Sequence, residues 1–243
     1  MKTAIIQRWL WRIFLLWTLA IFYVLPFDVG EAQIKLWITQ PDFQSLFLRI
    51  LKVLDAGWIV LAAANIYFYL IQQEGLNAAR RSGAILLFGI SLVLGIGVNT
   101  GQPFGPFVYT SQLGAKIFGV PFSVPLLWLV IITAARYSVL NFFEHARRWQ
   151  IAVVTGLLVT AVDVSLEWIA WRIRGYWLWY FPLAKTPDWP PLQNYLAWFL
   201  LTTLLTWVAF PAARPVGKHW RPVIMLVLIN LLFWLTIALR LGR

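Results

Sequence analysis

Asp163 and Glu167 are the two acids that lie inside a run as apolar as Ile151 to Trp171, in a chain with only nine acidic residues. Their spacing puts both carboxyls on one face of a helix, one turn apart. A carboxylate at the centre of a bilayer costs about 2.5–3.5 kcal/mol on insertion scales, so a pair is expected to face a helix bundle or water and not lipid. Two carboxyls in a poorly solvated site do not both ionise readily, so one keeps its proton and stands as a general acid beside a general base. The competing reading is an ion pair with Arg136, Arg172 or another base, which fixes packing and does no chemistry.

Two further sets of polar groups accompany the acids. Asn99, Thr100, Gln102 and Tyr109 belong to a knot of Gly and Pro between two apolar segments, and Gln193, Asn194 and Tyr195 open a later segment. Such groups position a water or the polar end of a substrate, and Phe104 of the same knot joins the substrate-binding set. Equally, Asn99 and Asn194 are suited to capping helix ends. Trp168, Trp171 and Trp198 flank the acids in sequence, and indole faces in a dry pocket stabilise a cation by about 2 kcal/mol or more, as a carbocation intermediate would require. Trp177, Trp179 and Trp189 read instead as interfacial anchors.

The elements that must position these residues are membrane helices. With 61% hydrophobic and 12% charged residues, the 243-residue chain has the composition of an integral membrane protein. Seven apolar segments fall at roughly 9–27, 46–72, 83–98, 119–142, 149–171, 193–212 and 220–241, about the length that crosses hydrocarbon. The expected fold is an all-α polytopic bundle of about seven spans, one domain over 1–243, with a Gly/Pro-rich loop able to re-enter the bundle. The first segment imitates a signal peptide, with Gly30-Glu31-Ala32 as a passable cleavage site, but its length and its Trp17, Phe22 and Tyr23 favour an uncleaved helix.

Placing the N-terminus in the cytoplasm collects Lys2, Arg8, Arg12, Arg80, Arg81, Arg147, Arg148, Arg214, Lys218 and Arg221 on that side. Arg172, Arg174, Arg240 and Arg243 then fall outside, and the loops 99–118 and 172–192 emerge on one face, where they can close one cavity. The net charge of +11 is scattered at segment ends, which suits topology and anionic headgroups and argues against a nucleic-acid partner. A weak echo links Val124–Trp128 with Asn194–Trp198, each leading to an Ala-Ala-Arg, the second being Ala212-Ala213-Arg214. The chain has no Cys and only two histidines, His145 and His219, so neither thiolate ligands nor a histidine box is on offer. It carries no P-loop, dinucleotide fingerprint or Gly-x-Ser-x-Gly elbow, which leaves acid–base chemistry without cofactor or metal.

The stretches Gly97–Gly105, Tyr109-Thr110, Leu113-Gly114, Gly119–Pro121 and Val124–Trp128 together resemble the integral-membrane carotenoid biosynthesis family, which includes bisanhydrobacterioruberin hydratases and carotenoid 1,2-hydratases. Asp163 to Glu167, Gly175–Trp179 and Pro191–Phe199 look like its later blocks, so the resemblance covers about Gly83 to Trp207. It implies water addition to the terminal C1–C2 double bond of a linear carotenoid, through a tertiary cation, by a bacterial or archaeal cytoplasmic-membrane enzyme. Its partners would be a long polyene lipid and the bilayer. The family pattern has an acid near Leu94, and this chain departs from it there. A carotenoid end-group cyclase starts with the same protonation, and a proton-coupled transporter or lipid-binding membrane protein is the non-enzymatic alternative.

Overall fold

The computed structural model describes residues 2–27, 31–180, 189–211 and 217–241. Gly30, Ala212, Ala213, Arg214 and Arg243 of the sequence reading, and residues 181–188 of the second loop, lie outside them. The helices are α1 (Lys2–Phe27), α2 (Glu31–Trp37), α3 (Pro41–Glu74), α4 (Leu76–Thr100), α5 (Ser123–Phe142), α6 (Arg148–Glu167), α7 (Leu192–Ala209) and α8 (Trp220–Leu241). Four short strands occupy the loops: β1 (Phe107–Tyr109), β2 (Lys116–Ile117), β3 (Val120–Pro121) and β4 (Trp177–Trp179).

The protein is an all-α polytopic bundle with small β ribbons at one end. Among the described residues six helices, α1, α3, α4, α5, α6 with its extension and α8, are long and apolar enough to cross a membrane. The segment expected over 193–212 forms α7, which stands outside that set. It is 18 residues long, roughly 27 Å at the helical rise, and Gln193, Asn194, Thr202, Thr203 and Thr206 dilute its apolar character. The short α2 and the start of α3 at Pro41 were not visible as apolar runs; proline at the first helical turn is the ordinary place for it.

Buried on all sides, α5 is the central post and packs against α3, α4, α6 and α8. Against α6, helix α7 runs antiparallel, and Gly156 makes the close approach possible. A Cβ there would meet Thr203 Oγ1 at 2.2 Å and the Phe199 carbonyl at 3.0 Å. That contact brings the first turn of α7 beside the last turn of α6.

Past Thr100, Gly101 takes a left-handed conformation, with φ of 74°, and its N–H bonds the Gly97 carbonyl at 2.8 Å to end α4. The chain then folds back onto the bundle end. Phe104 and Phe107 seat against Gly97, where an added Cβ would lie 2.8 Å from the Phe104 ring. The two loops meet as an antiparallel pair, β1 with β4, in the register Phe107↔Trp179 and Tyr109↔Trp177. Bonds from the Thr110 N–H to the Tyr176 carbonyl and from the Tyr180 N–H to the Pro106 carbonyl, both 2.9 Å, extend the ribbon.

Candidate active site

Helix α6 does not stop at Glu167 but widens into a π-helical turn, Trp168–Ile173. Such widened turns are frequent at functional sites because they shift the register of everything that follows. Here the chain leaves the turn through Arg174, which pairs with Asp55 of α3, while the Tyr176 hydroxyl donates to the same carboxylate at 2.6 Å. Burial, then the Asp55 charge, pushes the Tyr176 phenol well above its ordinary value. So anchored, the next residues run as β4 back across the end of α6. Alternation along the strand points Trp177 and Trp179 to one buried side and Leu178 to the exposed one.

Both indoles find Glu167. Trp177 Nε1 donates to Glu167 Oε2 at 3.0 Å and Trp179 Nε1 donates to the same oxygen at 3.1 Å. From α7, Asn194 Nδ2 donates to Glu167 Oε1 and to Asp163 Oδ2, each at 3.1 Å, so one amide bridges the two carboxyls. Asp163 is fully buried, Glu167 is 2% exposed, and Asp163 Oδ1 has no partner among the described residues. No basic side chain bonds either acid there. Arg136 is engaged elsewhere, giving Glu74 Oε1 a bond of 2.7 Å, and the Arg172 guanidinium lies 3.9 Å from the ring centre of Trp171.

Glu167 and Asn194 form the polar part of a cavity with an empty volume of about 270 Å³. Its other walls are apolar or aromatic: Leu94 from α4, Phe104 and Phe107 from the knot, and Trp128, Trp198 and the two β4 indoles. Trp128 and Trp198 stack with ring centres 3.5 Å apart, so the two halves of the sequence echo meet face to face. Tyr109 lines the cavity as well, and burial, then the nearby Glu167 and Asp163, pushes its phenol well above its ordinary value. The arrangement is a ring-lined chamber whose one acidic group is met by preorganised N–H donors.

A family profile described as carotenoid biosynthesis protein matches residues 55–243, and so takes in every wall of this chamber. The chain belongs to that family. Bisanhydrobacterioruberin hydratase from Haloarcula japonica is 32% identical over 130 residues, 50% of this chain and 42% of the relative. The chain thus covers less than half of that curated relative's length. No solved structure matches it.

Within this carotenoid biosynthesis protein the structure brings together Asp163, Glu167, Asn194, Tyr109, Phe104 and Trp198 from the sequence-predicted set. It keeps others apart. Asn99 Nδ2 and Thr100 Oγ1 are exposed and bond back to the carbonyls of Gly95 and Ile96, finishing α4, and Gln102 is exposed beside them. Gln193 is exposed and packs near Gly105. Tyr195 is half-buried, with its hydroxyl unpartnered among the described residues. Trp168 meets Trp189 edge-on and Trp171 lies by Arg172, both away from the cavity wall. Sequence reasoning missed Leu94, Phe107 and Trp128 as wall residues and read Trp177 and Trp179 as anchors. The Trp-Leu-Trp alternation, a strand period placing both indoles on one side, was the available signal.

Proposed function

We propose that this protein is a carotenoid hydratase that adds water across the terminal C1–C2 double bond of a linear carotenoid, with no metal or nucleotide. The carrying observation is a buried carboxyl, Glu167, that meets three neutral N–H donors and no cation among the described residues, at the wall of an aromatic cavity. Glu167 gives its proton to C2 as the alkene π pair forms the new C–H bond, leaving a tertiary cation at C1. The carboxylate charge develops where the Trp177, Trp179 and Asn194 N–H groups already point, which favours the transfer. Ring faces of Trp198 and Phe104 steady the cation. A water held by Tyr109 attacks C1, and its surplus proton returns to the carboxyl pair, restoring it. Asp163 supplies the pair's second proton site, coupled to Glu167 through Asn194.

The family membership and the hydratase name of the Haloarcula relative support the reading. The positive-inside tendency supports a cytoplasmic N-terminus, which puts this chamber toward the outer face of the membrane. The test is incubation of the purified protein in detergent with a linear carotenoid, followed by mass spectrometry. A product heavier by one water is expected, and Asp163→Asn and Glu167→Gln each lower its formation by orders of magnitude; full activity in both variants removes the proposal. A ringed product of unchanged mass identifies the second reading, an end-group cyclase, which the aromatic rings of the wall favour. Conversion without a gradient excludes pure transport.

A further inference from the structure

At the opposite end of the bundle lies a second pocket, with an empty volume of about 350 Å³, between α5, α6 and the end of α7. Arg136, Arg148 and Thr206 supply its polar lining and Phe210 an aromatic one. Arg136 is 4% exposed, spends one bond on Glu74, and lies with its guanidinium carbon 4.2 Å from the centre of the Phe210 ring. A guanidinium has five N–H donors in a planar fork, and among the described residues most of this one's hydrogen-bonding capacity remains for something else. Arg148 Nη2 reaches the carbonyls of Trp207 and Phe210, and Arg81 Nη2 the Val208 carbonyl at 3.5 Å. These arginines therefore bond carbonyls at the end of α7, and they leave the pocket with positive charge in excess of Glu74. Thr206 is 4% exposed, and its Oγ1 has no partner among the described residues. Buried hydroxyls are ordinarily bonded, and this one lines a pocket that already holds two guanidinium groups.

We infer that this pocket is a binding site for a phosphate-type oxyanion, held by the Arg136 and Arg148 guanidinium groups with the Thr206 hydroxyl as a third donor. Planar bidentate recognition of phosphate oxygens is what guanidinium groups do best. Basic pockets between membrane helices hold lipid headgroups by the same chemistry, so the phosphate arrives either on an anionic lipid or free. The inference is independent of the proposed catalysis, since none of the residues lining this pocket lines the Glu167 chamber.

Thermal melting of the full chain in a neutral detergent tests it, with dioleoylphosphatidylglycerol in mixed micelles, inorganic phosphate, and sodium chloride at matched ionic strength as additives. A melting temperature raised by several degrees by the lipid or by inorganic phosphate, but not by chloride, is the expected result, and whichever source acts identifies the ligand. Thr206→Val, which keeps the side-chain volume, should weaken the half-saturating concentration about tenfold, consistent with one lost hydrogen bond to a charged group. Arg148→Gln should weaken it further. Equal shifts in the unaltered chain and in Thr206→Val, or a shift that chloride reproduces, overturns the proposal even if Arg148→Gln is too unstable to measure.

Discussion

Two buried glutamates sit at opposite ends of this bundle and are treated in opposite ways. Glu74, at the end of α3, receives Arg136 at 2.7 Å and the Tyr137 hydroxyl at 3.0 Å, so a cation cancels its charge in place. Glu167, at the end of α6, receives only neutral N–H groups from Trp177, Trp179 and Asn194 among the described residues. An ion pair holds both side chains in place and gives helices a fixed register. Neutral donors bond the carboxyl without cancelling its charge, which on the proposed mechanism leaves its proton transferable. On the proposed reading, what sets the reactive acid apart is not its burial but the kind of donor around it.

The comparison breaks most visibly in activity. Glu167→Gln should lower carotenoid conversion by about 10²–10⁴-fold, the range of general acid–base catalysis, with helical circular dichroism unchanged. Glu74→Gln should do the reverse. Loss of one partner from a buried pair costs about 3–5 kcal/mol, so the melting temperature should drop while turnover per folded molecule holds. Trp177→Phe and Trp179→Phe sharpen the point, because each removes one donor while keeping an aromatic ring in the wall. A bond to a charged group is worth about 1.5–3 kcal/mol, so each should slow conversion by roughly 10–100-fold without a comparable fall in melting temperature.

The smallest effect concerns alkaline pH. A phenol held above its ordinary value in the folded chain contributes stability that is full below about 10, the unfolded tyrosine value, and is lost as pH rises toward the folded one. Melting temperature should therefore fall as pH climbs past 10, and Tyr109→Phe should flatten that slope. The pH–rate profile should show no limb from Tyr109 below that point.

Much of the fold was legible because lipid imposes a crude rule: apolar runs near the length of a span become helices, and α1, α4, α5, α6 and α8 did. The acid pair was legible for the same reason, since carboxyls stand out in such a run. The donors were not. A tryptophan that anchors in the headgroups and one that donates to a buried carboxylate look alike in one dimension, and the π-helical turn that swings β4 across Glu167 leaves no composition signal. Asn194 could be read as a cap or a ligand, and only the close α6–α7 approach at Gly156 makes it the bridge. Leu94 and Trp128 are ordinary core residues until helices from distant parts of the chain enclose a void between them.

The chamber beside Glu167 is small, with room at its centre for little more than a water molecule. A protein that grips a rope only by its tip takes no measure of the rope. Polyenes that differ along their length but share one terminal isoprene unit would then be handled alike, each tail left in the surrounding lipid, and a symmetric molecule would have to let go and turn around before its other tip could be changed.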